Sequence, residues 1–83
     1  MRAVVKRARK QKTILPHRKL IGDSIRRFRK GSKLTQEVLA ERAELNPKYL
    51  GEIERGEKII SIEALIRIAK ALKTPLADFL RGI

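Results

Sequence analysis

Apolar residues recur at three- and four-residue intervals from residue 16 onward, and no segment alternates with period two. Ile21, Ile25 and Phe28 form the first such stripe, the mark of an amphipathic helix with one buried side. Pro16 suits its first turn, where a missing N–H costs nothing, and Gly31 suits its end. Gly22 lies inside the stripe and weakens the helix by ~1 kcal/mol relative to Ala. Thr35 is expected to cap a second helix running to about Ala43, with Val38, Leu39 and Ala43 turned inward. Asn46-Pro47 joins a capping side chain to a proline at the first helical position, and Gly56 supplies a left-handed residue to end that third helix. Ser61 caps a fourth helix, with Ile62, Leu65, Ile66, Ala69 and Leu72 on its buried side. Thr74-Pro75 repeats the cap-plus-proline signal for a fifth, with Leu76, Phe79 and Leu80 apolar. The pattern therefore predicts an all-α body, a compact bundle of five short helices. A body of ~60 residues buries only about 60% of the surface its unfolded chain exposes, so its stability margin is narrow.

Charge divides the chain differently. Its 83 residues carry 21 Lys and Arg against nine Asp and Glu, a formal net charge of +12. Eight of the positives and none of the acids fall in residues 1–20, which leaves +4 for the remainder. Residues 1–15 are read as a basic N-terminal arm, flexible when free because such a composition cannot bury enough apolar surface to order itself. Residues 16–83 form the domain. The absence of cysteine excludes a disulfide scaffold and a thiolate metal site, and the single histidine, His17, leaves no imidazole cluster for zinc. No metal or cofactor is expected. Apolar runs of three or four residues are too short to span a membrane, and no apolar stretch follows the basic start as in a signal peptide. The expectation is a cytoplasmic, nucleoid-associated module with a polyanionic partner.

Residues 34–56 give that partner a geometry. Two short helices separated by about three residues form a helix-turn-helix, whose second helix is slender enough for a DNA major groove. At ~100° per residue, Asn46, Leu50 and Ile53 fall on the side facing the body. Lys48, Glu52 and Arg55 fall opposite, with Gly51 at the edge and Tyr49 flanking them. Lys, Tyr, Glu and Arg together are chemically able to read base edges and touch phosphates.

The combined pattern resembles the Cro and phage-repressor type of helix-turn-helix domain, the XRE-like, lambda-repressor-like class. The resemblance rests on Thr35-Gln36-Glu37, Leu39-Ala40-Glu41-Arg42-Ala43, Leu45, Tyr49-Leu50 and Ile53-Glu54-Arg55-Gly56-Glu57. It continues through Ser61-Ile62-Glu63-Ala64-Leu65 and Ile68-Ala69-Lys70-Ala71-Leu72, spanning about Ile21 to Leu80. Tyr49-Leu50-Gly51, Ile53-Glu54-Arg55-Gly56 and Ile60-Ser61 are, more narrowly, similar to controller proteins of restriction–modification systems. The resemblance implies sequence-specific binding of double-stranded DNA by a small transcriptional regulator, with about residues 47–55 as recognition helix. It implies that Gln36 binds a phosphate at its helix N-terminus. Asn46, Pro47, Lys48, Tyr49 and Glu52 would take base-facing positions, with Arg55 beside them. Lys48 would donate to guanine and Glu52 accept from cytosine. Arg29 would pair with Glu54, locking the first helix to the recognition helix.

The chain departs from that pattern where the class usually has glycine, carrying Lys33, Glu44 and Lys73 instead. A non-glycine residue in the left-handed region costs roughly 1–2 kcal/mol, so either these turns are strained or their geometry differs, with Gly31 taking over the first. Val38 removes the reciprocal bond of a capping box to Thr35. Gly51 in mid-helix signals either a close approach, by a neighbouring helix or DNA, or a tolerated defect.

Other classes fit less well. The acid pairs Glu41 with Glu44 and Glu52 with Glu54 are surface helix charges, and no phosphate loop or nucleophile–base set accompanies them, so no enzyme is expected. Single-strand binders need exposed aromatics, and Tyr49 is the one candidate. An antitoxin or adaptor, adding a protein partner to DNA binding, is the alternative. One module makes few base contacts, so a homodimer on a pseudo-palindrome is expected. Ile59, Ile60, Leu76, Phe79, Leu80 and Ile83 either offer the self-pairing surface or close the core.

Overall fold

Proline and three capping side chains set the helix starts. The computed structural model describes residues 15–83, so the expected arm lies, but for Leu15, outside the described residues. Helix α1 runs Pro16–Gly31, α2 Gln36–Ala43, α3 Pro47–Glu54 and α4 Ile62–Ala71, with no strand among the described residues. Pro16 and Pro47 occupy first-turn positions. Thr35 Oγ1 accepts from the Val38 N–H (3.1 Å), Asn46 Oδ1 from Lys48 (2.7 Å) and Ser61 Oγ from Ala64 (3.1 Å), each satisfying a donor that the helix leaves unbonded.

The expected fifth helix is a single 3-10 turn, Leu76–Phe79. Thr74 does not cap it; its hydroxyl donates back to the Leu72 carbonyl (3.0 Å). Pro75 holds the N-cap position and has no side-chain acceptor to offer. The bonds that form are the tighter i to i+3 kind, Asp78 N–H to Pro75 O and Leu80 N–H to Ala77 O, both 3.0 Å. Helix α3 likewise stops two residues short of Gly56, with Arg55 as its C-cap.

All four described α-helices end alike. The amides of Leu34, Leu45, Glu57 and Thr74 donate to the carbonyls five residues back, Arg29, Ala40, Glu52 and Ala69, at 2.8–3.2 Å. This is a Schellman closure, and it puts the preceding residue in the left-handed region. Those residues are Lys33 (φ 61), Glu44 (φ 58), Gly56 (φ 77) and Lys73 (φ 52). Only one is glycine. The turns are therefore strained and not rearranged, and Gly31 does not take over for Lys33; it is simply the last residue of α1. Leu34 and Leu45 follow two of the strained residues and pack on the core, which holds those closures in place.

Helix α1 packs on α3 and the 3-10 turn, and α2 packs on both α3 and α4. Ile25, Leu39, Leu50, Ile53, Ile68 and Phe79 are the largest fully buried side chains. Phe79 meets Phe28 edge-on at 5.1 Å between ring centroids, so the 3-10 turn closes the core in place of a fifth helix. Two expected core residues lie outside it: Ile62 and Ile66 are 64% and 38% exposed, because α4 buries Ala64, Leu65, Ile68 and Ala69 instead. Val38 is only half-buried. Gly22 proves to be a packing requirement. A Cβ there would sit 2.8 Å from the Glu54 carbonyl oxygen and closer still to that of Ile53, so the α1 and α3 backbones touch at this residue.

Candidate nucleic-acid interface

Three helices meet at one carboxylate. Glu54, at the last turn of α3, accepts from Arg29 Nε (2.7 Å) and Nη2 (3.0 Å) of α1 and from Gln36 Nε2 (2.9 Å) of α2. Arg29 also donates through Nη1 to the Leu34 carbonyl (2.8 Å) in the turn between α1 and α2. Arg29 and Glu54 are 8% and 3% exposed. A buried pair of this kind is tolerable only when its remaining donors and acceptors are satisfied, and these bonds do so. The cluster fixes α2 and α3 against α1, and thereby the pose of the two-helix unit.

Gly51 lies under this cluster. A Cβ on it would come within 3.2 Å of Arg55 Nη1, the far end of an exposed side chain that can move aside, and 3.5 Å of Gln36 Oε1, an ordinary contact, so space alone does not demand the glycine. It is buried, not at the edge of an exposed face. Asn46 is exposed even though the helical wheel turns it toward the body, because as N-cap it precedes the helical register.

The other expected site residues divide into free and engaged groups. Asn46, Pro47 and Lys48 are exposed at the start of α3, and Lys48 makes no ion pair among the described residues. With Asn46 Oδ1 used as cap, its side-chain NH2 remains available as a donor. Tyr49 is half-buried against the core, and its hydroxyl accepts from the Ser61 N–H (3.3 Å), tying α3 to the start of α4. Glu52 is half-buried, 3.7 Å from Lys58 Nζ. Arg55 is exposed and donates through Nε (2.9 Å) and Nη2 (3.3 Å) to Glu57, chiefly for which reason its pKa is raised above the ordinary guanidinium value. Gln36 is half-buried, its amide committed to Glu54.

Sequence reasoning missed Lys58, Glu57 and Ser61 as partners of Glu52, Arg55 and Tyr49. Lys58 lies six residues from Glu52, in the loop after α3, where no helical spacing announces a contact. It also missed a run of exposed cations that make no ion pair among the described residues, Arg26 and Lys30 on α1 and Lys33 in the following turn. No described helix is long and apolar enough to cross a membrane, and the described residues hold no cluster of His, Cys, Asp or Glu placed for a metal ion.

Residues 25–79 match the helix-turn-helix family HTH_3. The chain is 35% identical over 63 residues to the control protein C.SmaI of Serratia marcescens, covering 76% of this chain and 75% of that protein. It superposes on the restriction–modification controller protein C.AhdI from Aeromonas hydrophila with a TM-score of 0.73 and 29% identity, over 75% of this chain and 94% of the other. The clp gene regulator ClgR from C. glutamicum gives a TM-score of 0.75 at 38% identity, over 80% and 86% of the two chains.

Proposed function

Because the chain belongs to the helix-turn-helix family HTH_3, whose relatives here are controller proteins and transcriptional regulators, we propose that it regulates transcription by binding double-stranded DNA sequence-specifically. The observation that carries this reading is the start of α3, where Asn46, Pro47 and Lys48 stand exposed on a helix that Glu54 locks to both neighbours. In the proposed complex that end of α3 enters the major groove. Lys48 donates to guanine O6 or N7, and the Asn46 amide donates to an acceptor on an adjoining base edge. Glu52 reaches a cytosine amine only by leaving Lys58, or it acts as a carboxylate that steers Lys58 toward a phosphate. Tyr49 offers its ring, its hydroxyl being engaged. Gln36 presents the backbone N–H of the first turn of α2 to a phosphate while its side chain stays on Glu54. Arg55, exposed and always charged, meets the backbone beyond by turning from Glu57.

The regulator is proposed to act as a homodimer, with half-sites about one helical turn, ~34 Å, apart. In support, exposed Ile59, Ile62 and Leu80 surround an apolar cavity of about 210 Å³ floored by Ile21, Ile53 and Leu65. A chain that sediments as a monomer at high micromolar concentration would reassign this face to a different protein, the antitoxin or adaptor role. The basic arm is proposed to follow the DNA backbone or the minor groove. Competition binding among duplex DNA, RNA and single strands tests the central reading. At ~150 mM salt, where non-specific contacts fade, duplexes selected from a random library should outcompete the rest, and a duplex with no advantage refutes it.

A further inference from the structure

Lys33 is a fully presented cation on a strained backbone. It is exposed, sits at φ 61 and makes no ion pair among the described residues. The residues around it, not its own side chain, impose that conformation. The Lys33 N–H donates to Lys30 O (2.9 Å) and the Leu34 N–H to Arg29 O (3.2 Å). The Leu34 carbonyl accepts from buried Arg29, and the Leu34 side chain packs on the core. Glycine would meet this geometry without the clash that a Cβ brings, so the turn itself has no use for a lysine. Folding has little use for it either. The position lies between the negative end of α1 and the positive end of α2, where the two helix dipoles act on a cation in opposite senses.

Placement supplies a use. Lys33 stands three residues before Gln36, and Gln36 abuts Gly51 in the middle of α3. The turn is bonded through Arg29 to the same Glu54 that fixes α3, so the lysine backbone moves rigidly with that helix. Exposed Arg26 and Lys30, also without ion pairs among the described residues, continue the charge along α1. We infer that Lys33 is a phosphate-contacting residue of the DNA interface, a cation carried by the strained α1–α2 turn and not by the recognition helix. The inference rests on the DNA-binding reading above.

Substitution separates the turn from the charge. Lys33→Gly relieves the backbone, so its melting temperature rises by several degrees while its affinity for DNA falls. Loss of one phosphate contact lowers the slope of log K against log salt by about 0.9 per bound copy, which is about fivefold in affinity at 0.15 M salt. Lys33→Arg keeps the affinity within about twofold. Lys73→Gly, which relieves a left-handed lysine in the turn after α4, also melts higher but keeps both affinity and slope. A Lys33→Gly protein that melts higher and binds as tightly as the parent overturns the assignment and leaves DNA binding intact. An affinity loss with an unchanged salt slope, or an equal loss in Lys33→Arg, overturns it as well. A parent protein with no preference for duplex over single strands overturns both this inference and the reading beneath it.

Discussion

Replacing Arg29 by Met tests the junction on which the proposed interface is built. The substitution removes two hydrogen bonds and the countercharge from Glu54, which is 3% exposed, and leaves only the Gln36 amide to satisfy it. The Leu34 carbonyl loses its side-chain donor as well. Breaking one side of a buried pair costs about 3–5 kcal/mol, because the remaining charge stays desolvated. A chain of 83 residues has in total about 4–12 kcal/mol of stability. In a domain this small each kcal/mol moves Tm by about 4–8 °C, so a fall of roughly 12 °C or more is expected. Thermal melting followed by helical circular dichroism reads it, and DNA affinity measured below both transitions should fall in parallel, since Glu54 is part of α3. Two companions sharpen the test. Glu54→Gln keeps an acceptor for Arg29 and should lose less. The double variant Arg29→Met, Glu54→Leu removes both charges and should recover much of the stability without recovering the DNA affinity, since apolar replacement of a whole buried pair is often neutral. Unchanged melting in Arg29→Met refutes the structural role, and a double variant no better than the single refutes the desolvation account.

Four further outcomes are expected. Gly22→Ala, which in a free-standing helix would gain ~1 kcal/mol, should instead lose ~2–3 kcal/mol because its methyl meets the Ile53 and Glu54 carbonyls; a raised melting temperature would count against the contact between α1 and α3. Lys48→Ala should leave melting unchanged and cost about 1–3 kcal/mol of discrimination at a single position of the selected site; equal losses on all sequences would make Lys48 a phosphate contact instead. Deleting residues 1–14, which carry six Lys and Arg, should weaken binding to every duplex alike and flatten the salt dependence by several units; a loss confined to the selected site would assign base reading to the arm. Glu44→Gly should raise stability by roughly 0.5–1 kcal/mol, the relief of left-handed strain less the added freedom of the unfolded chain; a lower melting temperature would show that the turn is unstrained.

Local chemistry was legible in the chain where one residue decides the outcome. Thr35, Asn46 and Ser61 cap helices because their side-chain oxygens reach an amide two or three residues on, and nothing distant competes. Thr74-Pro75 presents the same local signal but yields only a 3-10 turn. There the Phe79 ring must reach Phe28, and a tertiary contact outranks the propensity of four residues. Burial on α4 was misread for a related reason. Period 3.6 marks a stripe but not its width, and α4 packs mainly on α2 and the 3-10 turn, so Ile62 and Ile66 fall outside the contact. Gly22 was illegible as a contact, since a glycine penalty in a helix looks the same whether or not another backbone touches it. At the site, the types and order of residues showed which groups lie on α3 but not which are occupied. Lys58 and Glu57 sit in the loop beyond the helix, outside any periodic relation to Glu52 and Arg55.

That occupancy bears on how the proposed complex divides its labour. Of the residues expected to read bases, Glu52 and Tyr49 are engaged within the molecule, and Gln36, expected at a phosphate, has its side chain committed to Glu54. Each can contact DNA only by giving up a bond or by using another part of itself. The uncommitted donors are few, chiefly Lys48 and the Asn46 amide at the first turn of α3. Two or three base contacts worth about 1–3 kcal/mol each separate one site from another only weakly. Doubling them across a two-fold axis squares the discrimination, which is the physical reason to expect a dimer here even before its interface is considered. Affinity follows the opposite logic. It scales with phosphates neutralised, and among the described residues the exposed cations free of ion pairs include Arg26 and Lys30 on α1 and Lys33 in the turn after it, besides Arg42, Lys48, Lys70 and Lys73 elsewhere on the surface. Selectivity is thus concentrated in a few residues of α3, and affinity is spread over a basic surface that could bind any duplex. A substitution on α3 should therefore change which site is chosen, whereas one on the basic surface should change how strongly every site is held.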